Sequence, residues 1–163
     1  MAAEPLFCLF HCKSRNYAVT VDHVAAVLDP PALVRVGLCP AVVLGFCPFR
    51  RDVIPVVEFE AETQGTRGAG PDRALVSPDQ CVLIVQAVRG AWGLRVDRSR
   101  TRIALERPSR HEPKTLADGA VVGGIIRNGA IEYSLLDVEA TWQGLRSRVL
   151  DSYSRVGART APV

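Results

Sequence analysis

Short apolar runs, separated by polar or glycine- and proline-bearing turns, follow one another along most of this chain, and most have the length of strands rather than helices. Leu6 to Cys12 is apolar and aromatic and ends at the polar turn Lys13-Ser14-Arg15-Asn16. Tyr17, Val19 and Val21 alternate with Ala18 and Thr20, the period of a half-buried strand. Asp22 is then placed to cap a short helical turn leading to Ala25 to Leu28. Asp29-Pro30-Pro31 closes that segment, Leu33 to Val36 reads as a further strand, and Gly37 with the Cys39-Pro40 step turns the chain. Ala41 to Phe49 is almost wholly apolar. Val53 to Val57 is apolar again around Pro55, with Arg50, Arg51 and Asp52 the only charges between the two runs. A hairpin over Gly45 to Glu60 follows, and Pro55, lacking an N–H, must turn its nitrogen to an edge or a bulge.

Between Glu60 and Gln80 the composition shifts to glycine, proline and polar residues, which predicts a loop. Cys81 to Ala87, the turn Val88-Arg89-Gly90-Ala91 and Trp92 to Val96 make a further hairpin. Arg98, Arg100 and Arg102 alternate with Ser99, Thr101 and Ile103, so an extended segment would set them on one face, ordinarily a solvated one. Pro108 to Pro113 reads as loop. Asn128-Gly129 between Val121–Arg127 and Ala130–Leu136 predicts a type I′ hairpin turn. Asp137 is an N-cap, followed by Val138, Trp142, Leu145, Val149 and Tyr153 on one helical stripe. Gly144 inside it costs about 1 kcal/mol relative to alanine. Residues 1–150 read as a single domain and 151–163 as a flexible tail. Roughly nine or ten strands, one short C-terminal helix and no alternation of strand with helix define an all-β fold, a barrel or a pair of barrels.

Composition narrows the function classes. The chain has 163 residues, 48% of them hydrophobic, and a formal charge of +3 from 20 basic and 17 acidic residues, too balanced to argue for nucleic acid. No apolar run reaches the roughly 18 residues of a membrane span and no signal pattern opens the chain, so a cytoplasmic protein without membrane insertion is expected. Five cysteines, an odd and scattered set, argue against a disulfide framework. Cys8, His11 and Cys12 have the proximity of metal ligands, but in a strand His11 faces away from the two thiols and a second cysteine pair is missing, so no metal is expected. His11, His23 and His111 lie far apart and outside any nucleophile motif. Gly119, Gly123 and Gly124 do not form a phosphate loop, and Asp97 beside the arginines reads as an ion pair. The expectation is a protein that is not an enzyme and needs no cofactor.

Several motifs converge in order along the chain. They are Leu6 to Phe10, Tyr17 to Val24, Pro40 to Gly45, the gapless stretch Gly45 to Phe59, Gly93-Leu94-Arg95-Val96-Asp97, Gly123 or Gly124, and Leu136-Asp137-Val138. Together they resemble the CheW-like domain of bacterial chemosensory arrays, from about Leu6 to Leu145. The resemblance implies two five-stranded β-barrels packed on a shared hydrophobic core, and a non-catalytic adaptor that joins the cytoplasmic tip of chemoreceptors to the regulatory domain of the histidine kinase CheA. It puts Leu33, Arg50, Arg51 and Glu60 where the family meets its partners, Leu33 as an apolar anchor and the arginines as charged contacts. Departures cluster there: Pro48 and Phe49 replace Asn and Leu, Arg51 replaces Gly, and Glu60 replaces the usual Arg. If that family Gly takes a positive φ, Arg51 bears the strain. The alternative is a β-barrel that binds a ligand or nucleic acid through the stripe Arg98, Arg100 and Arg102.

Overall fold

A computed structural model describes residues 4–29, 33–35, 42–59, 78–117 and 119–159. Within them the chain forms β1 (Leu6–Cys12), β2 (Arg15–Thr20), a 3₁₀ turn (Val21–His23), β3 (Val24–Leu28), β4 (Val43–Phe49), β5 (Asp52–Val57), β6 (Gln80–Ala87) and β7 (Gly90–Asp97). A second 3₁₀ turn (Arg98–Arg100), β8 (Arg102–Leu105), β9 (Ser109–Thr115), β10 (Val121–Asn128), β11 (Ile131–Leu136) and the helix α1 (Val138–Arg159) follow. Two sheets result, one in the order β8-β1-β2-β11-β10-β9 and one in the order β3-β6-β7-β5-β4. The fold is therefore all-β with a C-terminal helix, as the runs predict. No helix among the described residues is long and apolar enough to cross a membrane.

The apolar runs are continuous because several strands are buried on both faces. In β1, Cys8, Phe10 and Cys12 enter a core shared by the two sheets and α1, while Phe7 and Leu9 enter a smaller cluster with Ala18, Ile126, Tyr133 and Leu135 inside the six-stranded sheet. β6 divides in the same way. Cys81, Leu83 and Val85 join the shared core, and Val82 and Ile84 meet Cys47, Ile54 and Val56 inside the five-stranded sheet. A row of rings crosses the shared core, with Phe10, Tyr17, Phe59, Trp92 and Trp142 at successive centroid distances of 5.7, 5.3, 6.2 and 6.2 Å. It links both sheets to the helix, each large side chain contributing about 1.5–3 kcal/mol of apolar transfer.

Asp137 caps α1 as its position suggests: its Oδ1 accepts from the N–H of Ala140 at 2.9 Å. The helix continues to Arg159, through residues whose composition reads as a tail. Pro55 pairs with Phe46, whose own N–H and C=O bond to Val34 at 2.8 Å on the far side. Phe46 and Pro55 are thus a non-hydrogen-bonded pair, and the missing proline donor costs that ladder nothing.

Four expectations need correction. One sheet has six strands rather than five, because Ser109–Thr115 is strand β9 and not loop. Nearly every position in it is exposed, so backbone pairing to β10 holds it with no apolar pattern to reveal it. The short helical turn leading to Ala25–Leu28 is present as the 3₁₀ turn Val21–His23, but Asp22 sits inside it rather than capping it, and the turn has no side-chain cap. The β10–β11 turn is one residue later than the Asn-Gly pair suggests. Asn128 pairs with Ile131, and the central residues are Gly129, with φ 63°, and Ala130. Asn128 stays in the strand, where its amide donates to Glu106 and accepts from Arg102. Finally, Arg98 and Arg100 lie in a 3₁₀ turn and Arg102 in β8, so the three do not share an extended face. Arg98 is turned to Asp29 at 2.7 Å and Arg102 to Asn128.

Candidate functional site

The β4–β5 hairpin presents two of the four partner-contact residues singled out in the sequence, Arg50 and Arg51. Phe49 pairs with Asp52, leaving Arg50 and Arg51 as a two-residue turn. Arg50 takes φ 57°, a left-handed conformation that costs an L-residue about 1 kcal/mol, and its guanidinium lies 5.0 Å from the centroid of the Phe49 ring. The strained position is therefore Arg50 and not Arg51. Stacking the exposed cation on this half-buried ring returns about 0.5–1 kcal/mol and orients the charge. Both arginines are exposed, and neither has an ion-pair partner among the described residues.

Leu33 lies beside this hairpin, half-buried against the apolar cluster inside the five-stranded sheet. Gly45 makes that approach possible, since a Cβ there would meet the Leu33 Cβ and the Val34 carbonyl oxygen at 3.0 Å. The neighbouring Val34, bridged to Phe46, is 64% exposed. Registers of Val34 with Phe46, Phe46 with Pro55 and Pro48 with Val53 set all five side chains on one face of the hairpin. Val53 is 70% exposed. Toward the helix the same face opens into a groove of about 270 Å³, in which Phe46 and Pro55 face Trp142, Val149 and Arg146. The result is an apolar strip tipped by two cations. Glu60 lies outside the described residues.

One group escaped the sequence reading. Glu58 is 4% exposed, and its carboxylate accepts from Arg95 through both guanidinium Nε, at 3.1 Å, and Nη2. Lys13, on the β1–β2 turn of the other sheet, stands 3.7 Å away. This cluster ties the root of the hairpin to the six-stranded sheet. Its signal in the sequence was a lone carboxylate inside the apolar run Val56 to Phe59. Asp97 pairs with His11 Nδ1 at 2.5 Å and so bridges β7 and β1.

The described cysteines are packing residues. Cys8, Cys12, Cys47 and Cys81 are buried and outside any disulfide. Burial, with Cys81 nearby, pushes the Cys8 thiol up to about 11, and burial raises Cys47 and Cys81 as well, so none of these three is a thiolate near neutrality. Cys8 and Cys12 face the shared core, away from the His11–Asp97 pair, and no group of three metal-ligating side chains converges among the described residues.

Two packed sheets carrying an exposed apolar strip with two exposed cations at its end make a β-sheet scaffold. The CheW-like domain family matches residues 6–144, and the chain belongs to that family, whose members are non-catalytic scaffolds of chemosensory signalling. Among solved structures it is similar to the scaffolding protein TtCheW from Thermoanaerobacter tengcongensis, with a TM-score of 0.66 and 17% identity over 86% of this chain and 89% of that one. At that identity the likeness is one of fold. A search of curated proteins gave no match.

Proposed function

We propose that this protein is an adaptor that joins the regulatory domain of a CheA-type kinase to the cytoplasmic tip of chemoreceptors, with the β4–β5 hairpin as a partner contact. One observation carries the reading. Arg50 is held in a left-handed turn, stacked on Phe49 beside Arg51 and without an ion-pair partner among the described residues, at the end of an apolar strip on a family of scaffolds. A strained, exposed cation without an internal partner is available to an acidic group on another protein. The apolar anchor proposed for Leu33 moves one residue to the exposed Val34, since Leu33 itself is turned toward the sheet interior. Glu60, just beyond the hairpin, is proposed as a contact of opposite charge.

The test is capture of the CheA regulatory domain and of receptor-tip fragments from the same genome by the purified chain. Wild type is expected to retain at least one of them, and Arg50→Glu with Arg51→Glu to release it. Capture of neither by wild type would end this reading.

A further inference from the structure

The six-stranded sheet has two edges of opposite construction. β9 carries Arg110, Glu112, Pro113 and Lys114 and is exposed at nearly every position. Proline and mixed charges are what keeps an edge from recruiting another strand. β8, Arg102-Ile103-Ala104-Leu105, has neither a proline nor an acidic residue. Ile103 is 56% and Leu105 57% exposed, and Leu6, which faces Leu105 from β1, is 45% exposed. Among the described residues no strand pairs with the outer side of β8. What reaches across that side is the Asn128 amide, held by Arg102 and Glu106.

The backbone orientation follows from the ladder. Glu106 donates its N–H to the Pro5 carbonyl at 3.5 Å, so Glu106, Ala104 and Arg102 occupy the positions bonded to β1. By the alternation of antiparallel pairs, the N–H and C=O groups of Ile103 and Leu105 point out of the edge. We propose that β8 is a pairing site for a second copy of this chain, the two sheets joining antiparallel about a two-fold axis at Ala104. Ile103 of one copy then faces Leu105 of the other, and these pairs exchange their outward hydrogen bonds. Arg102 and Glu106 exchange their bonds to Asn128 of their own chain for a pair across the seam, Arg102 of each copy lying opposite Glu106 of the other, and the small Ala104 meets itself on the axis. Opposite charges and apolar pairs directly across a ladder are both favourable. Shifting the register by two residues in either direction sets Arg102 against Ala104 or Pro108 and loses the charge match. The strand is its own complement in one register, which favours a second copy over an unrelated extended peptide.

Sedimentation velocity on the full chain, from micromolar to millimolar, tests the proposal. The 17.7 kDa monomer is expected to give way to twice that mass as concentration rises. Ile103→Lys and Leu105→Lys are expected to stay monomeric, as are Arg102→Glu and Glu106→Arg alone, while the double charge swap restores the dimer. A wild type monomeric throughout, a dimer unchanged in Ile103→Lys, or a folded double swap that stays monomeric would each overturn it. The wild-type series and the two lysine variants leave Arg102, Glu106 and Asn128 untouched, so they decide the matter even where the charge variants unfold. Because the hairpin lies in the other sheet, Ile103→Lys is expected to capture its partner normally, which separates a failure of this interface from a failure of the adaptor reading.

Discussion

Phe49 pairs with Asp52 in one hairpin and Asn128 with Ile131 in another, so each is closed by two residues, and in each the first of the two takes a positive φ: 57° at Arg50 and 63° at Gly129. Glycine reaches that conformation without a steric cost, whereas arginine does not. At β10–β11 the residue type answers to the backbone. At β4–β5 it is retained against the backbone, which points to what the side chain presents. Lys13, at φ 54° on the β1–β2 turn, repeats the pattern, and there the cation has an internal target in the buried Glu58. Arg50 has no such target among the described residues, and that difference separates a structural cation from an available one.

The comparison can be broken at several points. Removing Arg95 leaves the buried Glu58 carboxylate at the hairpin root with only Lys13, 3.7 Å away, so Arg95→Ala is expected to cost about 3 kcal/mol in denaturant unfolding. A loss below about 1 kcal/mol would show that the carboxylate is solvated or otherwise matched. Within the arms, Ile54→Ala is expected to cost about 3 kcal/mol, because Ile54 is 2% exposed in the inner cluster. At the tip the effects are smaller. Gly129→Arg should lower stability by about 1 kcal/mol with capture unchanged. Arg50→Gly relieves a similar strain but forfeits the stacking on Phe49, so stability should change by less than about 0.5 kcal/mol while capture of the partner weakens. If Gly129→Arg left stability unchanged, a positive φ at the first turn position would carry no cost. Equally small in its effect on folding is Val53→Ser, within about 0.5 kcal/mol, since Val53 is 70% exposed; its expected consequence is weaker capture alone.

Much of this was legible beforehand. The hairpin arms, the Asp137 cap and the hairpin from Cys81 to Val96 follow from local pattern, since strands announce themselves through apolar runs and turns. β9 was not, because Ser109-Arg110-His111-Glu112-Pro113-Lys114-Thr115 buries almost nothing and is a strand through its neighbour's backbone. Arg98 and Arg100 misled for a related reason: alternation implies a common face only if the segment is extended, and a 3₁₀ turn breaks the period.

The sequence by itself determined the all-β class, the hairpins at Arg50-Arg51 and near Gly129, the terminal helix and the family motifs, because each rests on residues close together in the chain. Tertiary structure alone decided that Val34 and not Leu33 is the more exposed of the pair, that Arg50 and not Arg51 takes the left-handed turn, and that Lys13 and Arg95 meet at Glu58. Where apolar side chains line both faces of a strand, alternation assigns them to two sides without saying what covers either. That covering comes from strands distant in sequence.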